Sequence, residues 1–527
     1  MRIMAVAASN SGDLSRLDSA DALRLRSRLA VFLVAVGVLL FCSPMLLDPD
    51  YFWHLETGRL IAQNRALPAV DPFSFRYEGQ HWVLHEWLFQ LILYGAYAGL
   101  GDIGVRLLCT ATGASFIGVV FVTARRLSGR TGFALVLTLS SLILLYPFIE
   151  PRPQIATLLL FALFLRALLF AKYFDEWRMI RWLPAIMALW VNLHGGYAMG
   201  LALVWLFAAT EWVRLLASAR TALKSSRLRE QSIAAVLCLL ASFLNPDGPG
   251  HLLYPLQIVN LEATRVLSEW QPTTFGSLYG KLYFLCVGLF ALCLIYGRRR
   301  PDLLEFCLSG LMIAAGFASL RHVPFALLTM IFMASRAVRE GLLIPVPAAR
   351  IAAWWPSRRR PAGAAMSGGR ESLLNLAAGA LLILGAAIYY PSLAAKQDVM
   401  LRKAMPVGAV DFMQVQGIDG RMFNSLHFGG YLIHRFEGRL PVFIDGRTDL
   451  YGDRLFREHL DIERGRDGWD GLLEKYGIDL ILCPPAAQIR KLLLDRGDFA
   501  LVYEDQTAVI LLKREVKYGE LIRQFGH

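Results

Sequence analysis

Six charged or ionisable side chains lie close to the ends of apolar segments in this chain. They are Asp48, Asp50, Glu150, Glu269, Arg321 and His322. All but Glu269 lie within a few residues of an apolar run, and Glu269 lies in the loop between two such runs. Charges at a membrane boundary are costly unless they are paired or hydrated, so their placement indicates a functional site.

These residue types favour transfer from a phosphate-bearing donor. Carboxylates can hold Mg²⁺ or Mn²⁺, which prefer oxygen ligands, and a carboxylate can also activate an acceptor by taking its proton. Arg and His side chains bind phosphate. The sequence therefore predicts transfer from a membrane-held donor. The alternative is that each group only extends from a helix end into the lipid headgroups.

The composition indicates a membrane protein with several spans. Of the 527 residues, 56% are hydrophobic and only 18% are charged, whereas soluble proteins have about a quarter charged residues. The formal net charge is +12. In a membrane protein, Lys and Arg collect in cytoplasmic loops, so this charge does not predict nucleic acid as a partner. Six of the seven cysteines lie in apolar runs, and Cys483 alone lies in the polar tail, so no disulfide framework is expected there.

Twelve apolar runs lie along the chain. They cover approximately residues 29–47, 84–100, 103–124, 131–148, 154–171, 182–194, 197–216, 231–245, 279–296, 303–319, 323–340 and 372–391. Basic clusters lie between many of these runs and should be cytoplasmic. All of these basic clusters lie on the cytoplasmic side only if the run 84–100 does not cross the membrane. This run is rich in Trp and Tyr, so it is predicted to lie along the outer surface as an interfacial helix. This predicts eleven spans in the cell membrane.

The same count predicts the domains. Residues 1–28 form a disordered cytoplasmic N-terminus, and residues 29–391 form the membrane domain, with a long first outer loop over 48–101. Residues 392–527 form an extracytoplasmic domain in which strand-like and helix-like stretches alternate, as in a small α/β domain. LPVFIDG is predicted as a strand, and FALVYEDQTAVILLKRE as a hairpin. The segment 356–370 is predicted to be a flexible cytoplasmic loop.

Several short segments, in order over most of the chain, resemble the GT-C class of polyprenyl-linked glycosyltransferases, especially the catalytic subunits of oligosaccharyltransferases. LLDPDYFWHLETGRLIAQN resembles that family's first-loop motif, and FIEPRPQ stands where its second acidic motif lies. VLSEWQPTTFGS, SLRHVPFA and FNSLHFGGYLIHRFEGRLPVFIDGRTDLYG resemble later motifs. HEWLFQLILYGAYAGLGDIGVRLL also resembles the interfacial helix and second span of lipid-linked mannosyl- and aminoarabinosyltransferases.

The resemblance implies a GT-C fold and an inverting transferase with a polyprenyl-phosphate or -diphosphate sugar donor. It implies three roles near the membrane surface. Asp48, with Asp50 and Glu269, would be catalytic; Asp48 and Glu150 would bind Mn²⁺ or Mg²⁺; and Arg321 with His322 would bind the donor phosphate. Two residues of the tail would bind the acceptor, namely His427 and Arg447.

The sequence departs from the family at two motifs. The family's second motif has two acids, whereas this chain has only Glu150 there. Residues 425–429, SLHFG, stand where the family has Trp-Trp-Asp-Tyr-Gly. That motif recognises the Ser or Thr of an Asn-linked acceptor, so its absence argues against ordinary N-glycosylation.

Two other functions remain open from sequence. One is a monosaccharide transferase of the same fold that modifies a lipid or polymer, and the other is a non-catalytic transporter or assembly factor. A transporter would have carboxylates in mid-span and a two-half repeat, whereas the acids here lie at one face. The segment around His81, His85 and Glu86 is interpreted as the start of the interfacial helix, with a metal cluster as the alternative. His194 lines the cavity or caps a helix.

Overall fold

The computed structural model describes residues 29, 31–76, 79–217, 226–341 and 368–526. The predicted disordered N-terminus and most of the predicted loop 356–370 lie outside these residues. The first part of the chain is almost entirely helical. Its helices are α1 Val31–Phe41, α2 Pro49–Asn64, α3 Trp87–Ser128, α4 Thr131–Leu145, α5 Gln154–Phe174, α6 Leu183–Leu193, α7 Tyr197–Ala217, α8 Ser226–Ala241, α9 Tyr254–Val259, α10 Leu278–Ile295, α11 Leu303–Ala318, α12 Val323–Glu340 and α13 Gly368–Ala404.

Among the described residues, 6 helices are long and apolar enough to cross a membrane, and α1 and α11 are shorter apolar helices. The chain is therefore a multi-pass membrane protein. Each predicted span overlaps one helix, but several of these helices are shorter than a bilayer requires. The count of eleven spans stays a prediction.

The long helix α3 is broken at Gly101. This residue has φ 60° and ψ −147°, a backbone conformation that glycine adopts readily and residues with a Cβ do not. The break divides Trp87–Leu100 from the rest of α3, at the position where the sequence predicts the turn between an interfacial helix and a span. The placement of the first half along the outer surface stays a prediction.

Cysteine labelling tests this orientation. In a background without native cysteines, we expect an impermeant thiol reagent to label Gln80→Cys and Gly99→Cys in intact cells and not Arg130→Cys. All three positions are exposed, and a side chain at Gly99 meets no atom within 4 Å. If Trp87–Leu100 spanned the membrane, Gln80 and Gly99 would lie on opposite sides, and only one of them would react.

Helix α13 joins the membrane helices to the C-terminal part without a break. It runs through Pro391 to Ala404, past the predicted domain boundary at 391. Two of its side chains fix it to the segment that leads to Asp48. The Tyr390 hydroxyl contacts Ser43 and Thr110, and the Gln397 amide accepts from the Leu46 N–H at 3.0 Å and donates to the Leu46 carbonyl at 2.8 Å.

The C-terminal part is a four-stranded sheet with helices on both faces. The elements in chain order are α14 Val407–Gln416, β1 Met422–Asn424, α15 Leu426–Arg435, α16 Thr448–Glu463, α17 Trp469–Tyr476, β2 Leu480–Cys483, α18 Gln488–Arg496, β3 Phe499–Glu504, β4 Val509–Lys513 and α19 Gly519–Phe525. The strand order is β1-β2-β4-β3; β1 and β2 are parallel, and the other pairs are antiparallel. The predicted hairpin over β3 and β4 is confirmed.

The alternation of side chains in β2 explains its continuous apolar sequence. Leu480 and Leu482 belong to a core that continues into the membrane helices. Ile481 and Cys483 point to the opposite face, into a second core that includes residues of α16, α17 and α18. Because both faces are covered, every position of the strand is apolar.

The predicted strand over LPVFIDG is wrong. Only one isolated bridge forms there, between Val442 and Ser74 of the first loop. The buried side chain of Asn424 forms hydrogen bonds with the backbone of this segment instead. Its Oδ1 accepts from the Phe443 N–H at 2.9 Å, and its Nδ2 donates to the Ile444 carbonyl at 2.8 Å. A side chain therefore replaces a strand partner at this position.

Candidate active site

A cavity of about 410 Å³ lies between the first loop, the turn before α5, the loop that precedes α10 and the C-terminal part. Four predicted site residues line it, namely Asp50, Glu269, Arg321 and His427. Asp48 and Glu150 lie directly behind this lining, in contact with Arg152, which does line the cavity. The structure thus brings together residues from five separate segments.

Asp48 begins α2 as its N-cap. Its backbone is extended, with φ −67° and ψ 128°, and its Oδ1 accepts a hydrogen bond from the Asp50 N–H at 2.8 Å. Pro49 occupies the first helical position, where its missing N–H costs nothing. This cap ends the preceding segment and directs Asp50 into the cavity. There, the Oδ1 of Asp50 accepts a hydrogen bond from the Trp53 indole N–H at 3.1 Å.

Arg152 lies at the centre of the acidic residues. Its Nη2 lies 2.5 Å from Asp48 Oδ2 and 3.2 Å from Asp50 Oδ2. Its Nε lies 3.7 Å from Glu150 Oε2, and its Nη1 lies 3.5 Å from Glu269 Oε2. With only 16% of its side chain exposed, this guanidinium neutralises carboxylates that would otherwise repel one another.

Arg152 is not among the site residues predicted from the sequence, although two signals point to it. The residue lies two positions after Glu150, in the part of FIEPRPQ where the second acid of the family motif is missing. It is also a basic residue on a predicted outer turn, against the cytoplasmic bias of Lys and Arg. Neither signal identifies its partners, which come from other loops.

Glu269 and Arg321 form a second ion pair on the cavity wall. Arg321 Nη1 donates to Glu269 Oε1 at 2.8 Å, and the guanidinium lies 4.9 Å from the centre of the Trp270 ring. Since Glu269 also approaches Arg152, it links the two arginines. His322 packs near Trp270 and Phe325. Burial and the Arg321 charge lower the pKa of His322 to about 4, so it is neutral near pH 7 and does not add positive charge for a phosphate.

The predicted metal site at Asp48 and Glu150 does not fit a divalent cation. Both oxygens of Asp48 already bind donors, the Asp50 N–H and Arg152. Partial burial and the Asp48 charge raise the pKa of Glu150 to about 8, so it is mostly protonated near pH 7. In the described part of the chain, no group of three or more His, Cys, Asp or Glu residues has the arrangement of a metal site.

A second ionisable cluster lies at the other end of the cavity, around Glu86. Glu86 Oε1 lies 3.4 Å from His85 Nε2 and 3.6 Å from His194 Nε2, and Oε2 lies 3.7 Å from His54 Nδ1. Burial lowers the pKa of His85, but the charge and hydrogen bond of Glu86, together with the Asp449 charge and the Val83 carbonyl, outweigh burial, so the net shift of this pKa is upward. Burial raises the pKa of Glu86, and the histidines more than reverse this. The two form a buried ion pair.

This cluster answers two questions that the sequence left open. Glu86 is the N-cap of α3, and both it and His85 line the cavity, so the helix start is itself part of the site. His194 Nδ1 accepts from the Gly196 N–H at 3.0 Å, so the proton of the neutral ring is on Nε2, facing Glu86. His81 is exposed and lies apart, bridged to Val70.

Two glycines allow the C-terminal part to form a wall of the cavity. A Cβ on Gly446 would lie 1.8 Å from Asp50 Oδ1, and a Cβ on Gly430 would lie 2.2 Å from the Pro49 carbonyl oxygen. A larger residue at Gly430 would require a shift of the backbone, and one at Gly446 would displace the Asp50 side chain from its position. His427, on the same wall, lines the cavity, and its predicted role in acceptor binding stays a prediction.

Arg447 does not line the cavity, and its position does not support the predicted acceptor-binding role. It is 1% exposed. Its Nη1 donates to Asp71 Oδ1 at 2.7 Å, and its Nε and Nη2 donate to Asp445 at 2.8 and 2.6 Å. Arg447 thus joins the loop that contains Asp71 to the C-terminal part.

Comparisons with known proteins give a match in structure only. No protein-family model matches the sequence, and no similar curated protein is found. The solved structure of ArnT from Cupriavidus metallidurans bound to undecaprenyl phosphate is similar, with a TM-score of 0.50 and 17% identity over 93% of this chain and 97% of that one.

Oligosaccharyltransferases are similar to a comparable degree. AglB from Archaeoglobus fulgidus, in complex with an inhibitory peptide and a dolichol-phosphate, has a TM-score of 0.52 and 12% identity, over 93% of this chain and 74% of that one. The oligosaccharyltransferase of the same organism in the apo form has a TM-score of 0.50 and 13% identity, over 86% and 69%.

ArnT and AglB both belong to the GT-C class of polyprenyl-linked glycosyltransferases. The fold of this chain is therefore the GT-C fold, in a divergent form, as the sequence resemblance predicts. Within that class, the chain matches ArnT over nearly the whole length of both proteins. At these identities the likeness establishes the fold alone.

Proposed function

We propose that the protein transfers a sugar or oligosaccharide from a polyprenyl-phosphate or -diphosphate donor to an acceptor on the outer face of the cell membrane. The observation that carries this proposal is the cavity in which carboxylates lie beside Arg152 and Arg321. The undecaprenyl phosphate in ArnT and the dolichol-phosphate in AglB support a lipid-phosphate donor for a chain of the same fold.

The proposed reaction is a single displacement with inversion. The acceptor hydroxyl or amide gives its proton to Asp50, and its oxygen or nitrogen forms a bond to the anomeric carbon. The bond from that carbon to the donor phosphate oxygen breaks, and the lipid phosphate leaves with the electron pair. Asp48 holds Arg152 beside Asp50, and Arg321 stabilises the charge that develops on the phosphate.

An apolar groove supports a lipid-linked donor. It has a volume of about 700 Å³ and lies between α4, α10 and α12, lined by residues such as Leu137, Leu289 and Met330. Arg321 lies two residues before α12, whose residues also line the groove. A donor phosphate at Arg321 could therefore extend its apolar tail along α12 toward this groove.

Monosaccharide and oligosaccharide donors both satisfy this chemistry. The match to ArnT over 97% of its length supports a transferase of comparable size, and the SLHFG segment argues against N-glycosylation. Mass spectrometry of envelope lipids, polymers and glycoproteins with and without this chain tests the proposal. A glycan profile unchanged by its loss would favour transport or assembly instead.

Removal of the Arg321 side chain tests the phosphate site. We expect Arg321→Ala to weaken binding of undecaprenyl phosphate by roughly 1.5–3 kcal/mol, because a charge-assisted hydrogen bond is lost. Isothermal titration of the purified proteins in lipid nanodiscs measures this change. Arg300→Ala, at an exposed position, is the control and should bind as the wild type does. Equal affinities in all three proteins would remove Arg321 from the site.

The protonation of the Glu150 carboxyl predicts how the affinity for the donor depends on pH. Because the pKa of Glu150 is raised to about 8, its carboxyl is neutral below that pH and negative above it. Its ionisation adds negative charge beside Arg152, so the affinity for a lipid phosphate should fall as the pH rises through about 8. The Glu150→Gln variant should lack this decline. If both proteins have the same pH profile in the binding assay, Glu150 does not control binding.

A further inference from the structure

The guanidinium of Arg152 lies where a shared cation would lie. A single atom, Nη2, is within 3.2 Å of carboxylate oxygens from both Asp48 and Asp50. The same side chain contacts Glu150 and Glu269 from two other segments. A divalent ion joins carboxylates from different loops in this way, and here a fixed side chain of the protein makes the contacts.

The local sequence fixes Arg152 in this position. Pro151 and Pro153 flank it, and each proline restricts its own φ and the conformation of the residue before it. Helix α5 begins directly after, at Gln154. The guanidinium is thus held on a short, restricted turn, so its contacts with the acids need little ordering when substrate enters.

We propose that Arg152 takes the place of the divalent cation, and that the transfer reaction needs no metal. This inference rests on the proposed function and deepens it. Arg152 is a positioning residue: its Nη2 holds the Asp48 and Asp50 carboxylates side by side, and its positive charge offsets the repulsion between them. Its Nη1 makes only a long contact, 3.5 Å to Glu269, and so retains donor capacity for a phosphate oxygen in the cavity.

A gain of metal binding tests the proposal without any transfer assay. Mn²⁺ is titrated into the purified full-length protein and followed by electron paramagnetic resonance. We expect the wild type to leave Mn²⁺ free, whereas Arg152→Asp, which adds a carboxylate and removes the positive charge, should bind Mn²⁺ at least tenfold more tightly, roughly 1.4 kcal/mol. Arg152→Gln removes the charge without adding a ligand and should bind with intermediate affinity. Gel filtration and thermal unfolding establish that each variant is folded.

Two outcomes would overturn the inference. One is that wild-type protein binds Mn²⁺ as tightly as Arg152→Asp does, and the other is that folded Arg152→Asp binds none. If neither variant folds, chelation of the wild type decides: transfer should persist in EDTA, and loss of transfer that Mn²⁺ restores would contradict the proposal. Absence of transfer with every donor tried, together with the expected Mn²⁺ results, would overturn the proposed function and leave the cation assignment intact.

Discussion

Asp48→Asn is expected to lower the rate of glycan transfer about 10²-fold, the usual cost of misplacing a reacting group, because Asp48 holds Arg152 beside the proposed base Asp50. Asn keeps the shape of the side chain and can still accept the Asp50 N–H hydrogen bond that caps α2. It removes the negative charge that pairs with Arg152 at 2.5 Å. The guanidinium then loses the partner that holds it in place and can shift onto the Asp50 carboxylate, where it competes with the acceptor for the oxygen that takes the proton.

The measurement is transfer by purified protein in lipid, with the donor and acceptor that envelope analysis identifies. Asp50→Asn should be at least as impaired, since Asp50 lines the cavity. Asp398→Asn is the matched control, because Asp398 is 69% exposed on α13 and should transfer at the wild-type rate. Wild-type activity in Asp48→Asn would remove the residue from the mechanism, whatever the behaviour of Asp50→Asn.

Arg447→Met is expected to destabilise the protein by about 3–5 kcal/mol, because it leaves buried carboxylates without their partner. Asp71 and Asp445 are both fully or almost fully buried, and each makes a hydrogen bond to the Arg447 guanidinium. Met has a similar length but carries no charge, so the loss comes from the ion pairs rather than from a cavity. The loop that contains Asp71 and the C-terminal part should separate first, since Arg447 joins them.

Thermal unfolding in detergent, followed by size-exclusion chromatography, measures this loss. Arg439→Met provides the control: Arg439 lies in the same segment but is 77% exposed, and an exposed pair contributes little. A double variant, Arg447→Met with Asp71→Asn, should recover part of the stability. Equal unfolding midpoints for Arg447→Met and the wild type would show that this ion-pair network is not important for docking.

Local signals in the sequence predicted much of the fold. Apolar runs and basic clusters predicted the membrane helices, and the Gly101 break lies at a run boundary. The alternation in FALVYEDQTAVILLKRE predicted the hairpin of β3 and β4. The error over LPVFIDG has a specific cause: Asn424, a distant residue, satisfies the backbone of that segment. The end of α13 could not be predicted either, because the helix continues through Pro391 into a polar sequence.

The candidate site was predicted only in part, for a similar reason. Asp50, Glu269, Arg321 and His427 were predicted from motifs and do line the cavity. The role of Arg152 depends on four acids, three of them in other segments. The role of Glu86 depends on its neighbour His85 and on the distant residues His54 and His194, so neither role can be predicted from local sequence. Arg447 resembled a binding residue because a buried arginine and a substrate-binding arginine are alike in sequence.

The continuous helix α13 has a consequence for the rotational setting of the site. Tyr390 and Gln397 lie about two helical turns apart, on the same face, and both hold the segment that leads to Asp48. One residue inserted between them would turn everything beyond it by about 100°, carrying Gln397 away from Leu46. Seven inserted residues would nearly restore the direction in which the later side chains point, but would add about 10 Å of length. The contacts of Tyr390 and Gln397 therefore fix both the rotation of α13 about its axis and the number of residues between these two side chains.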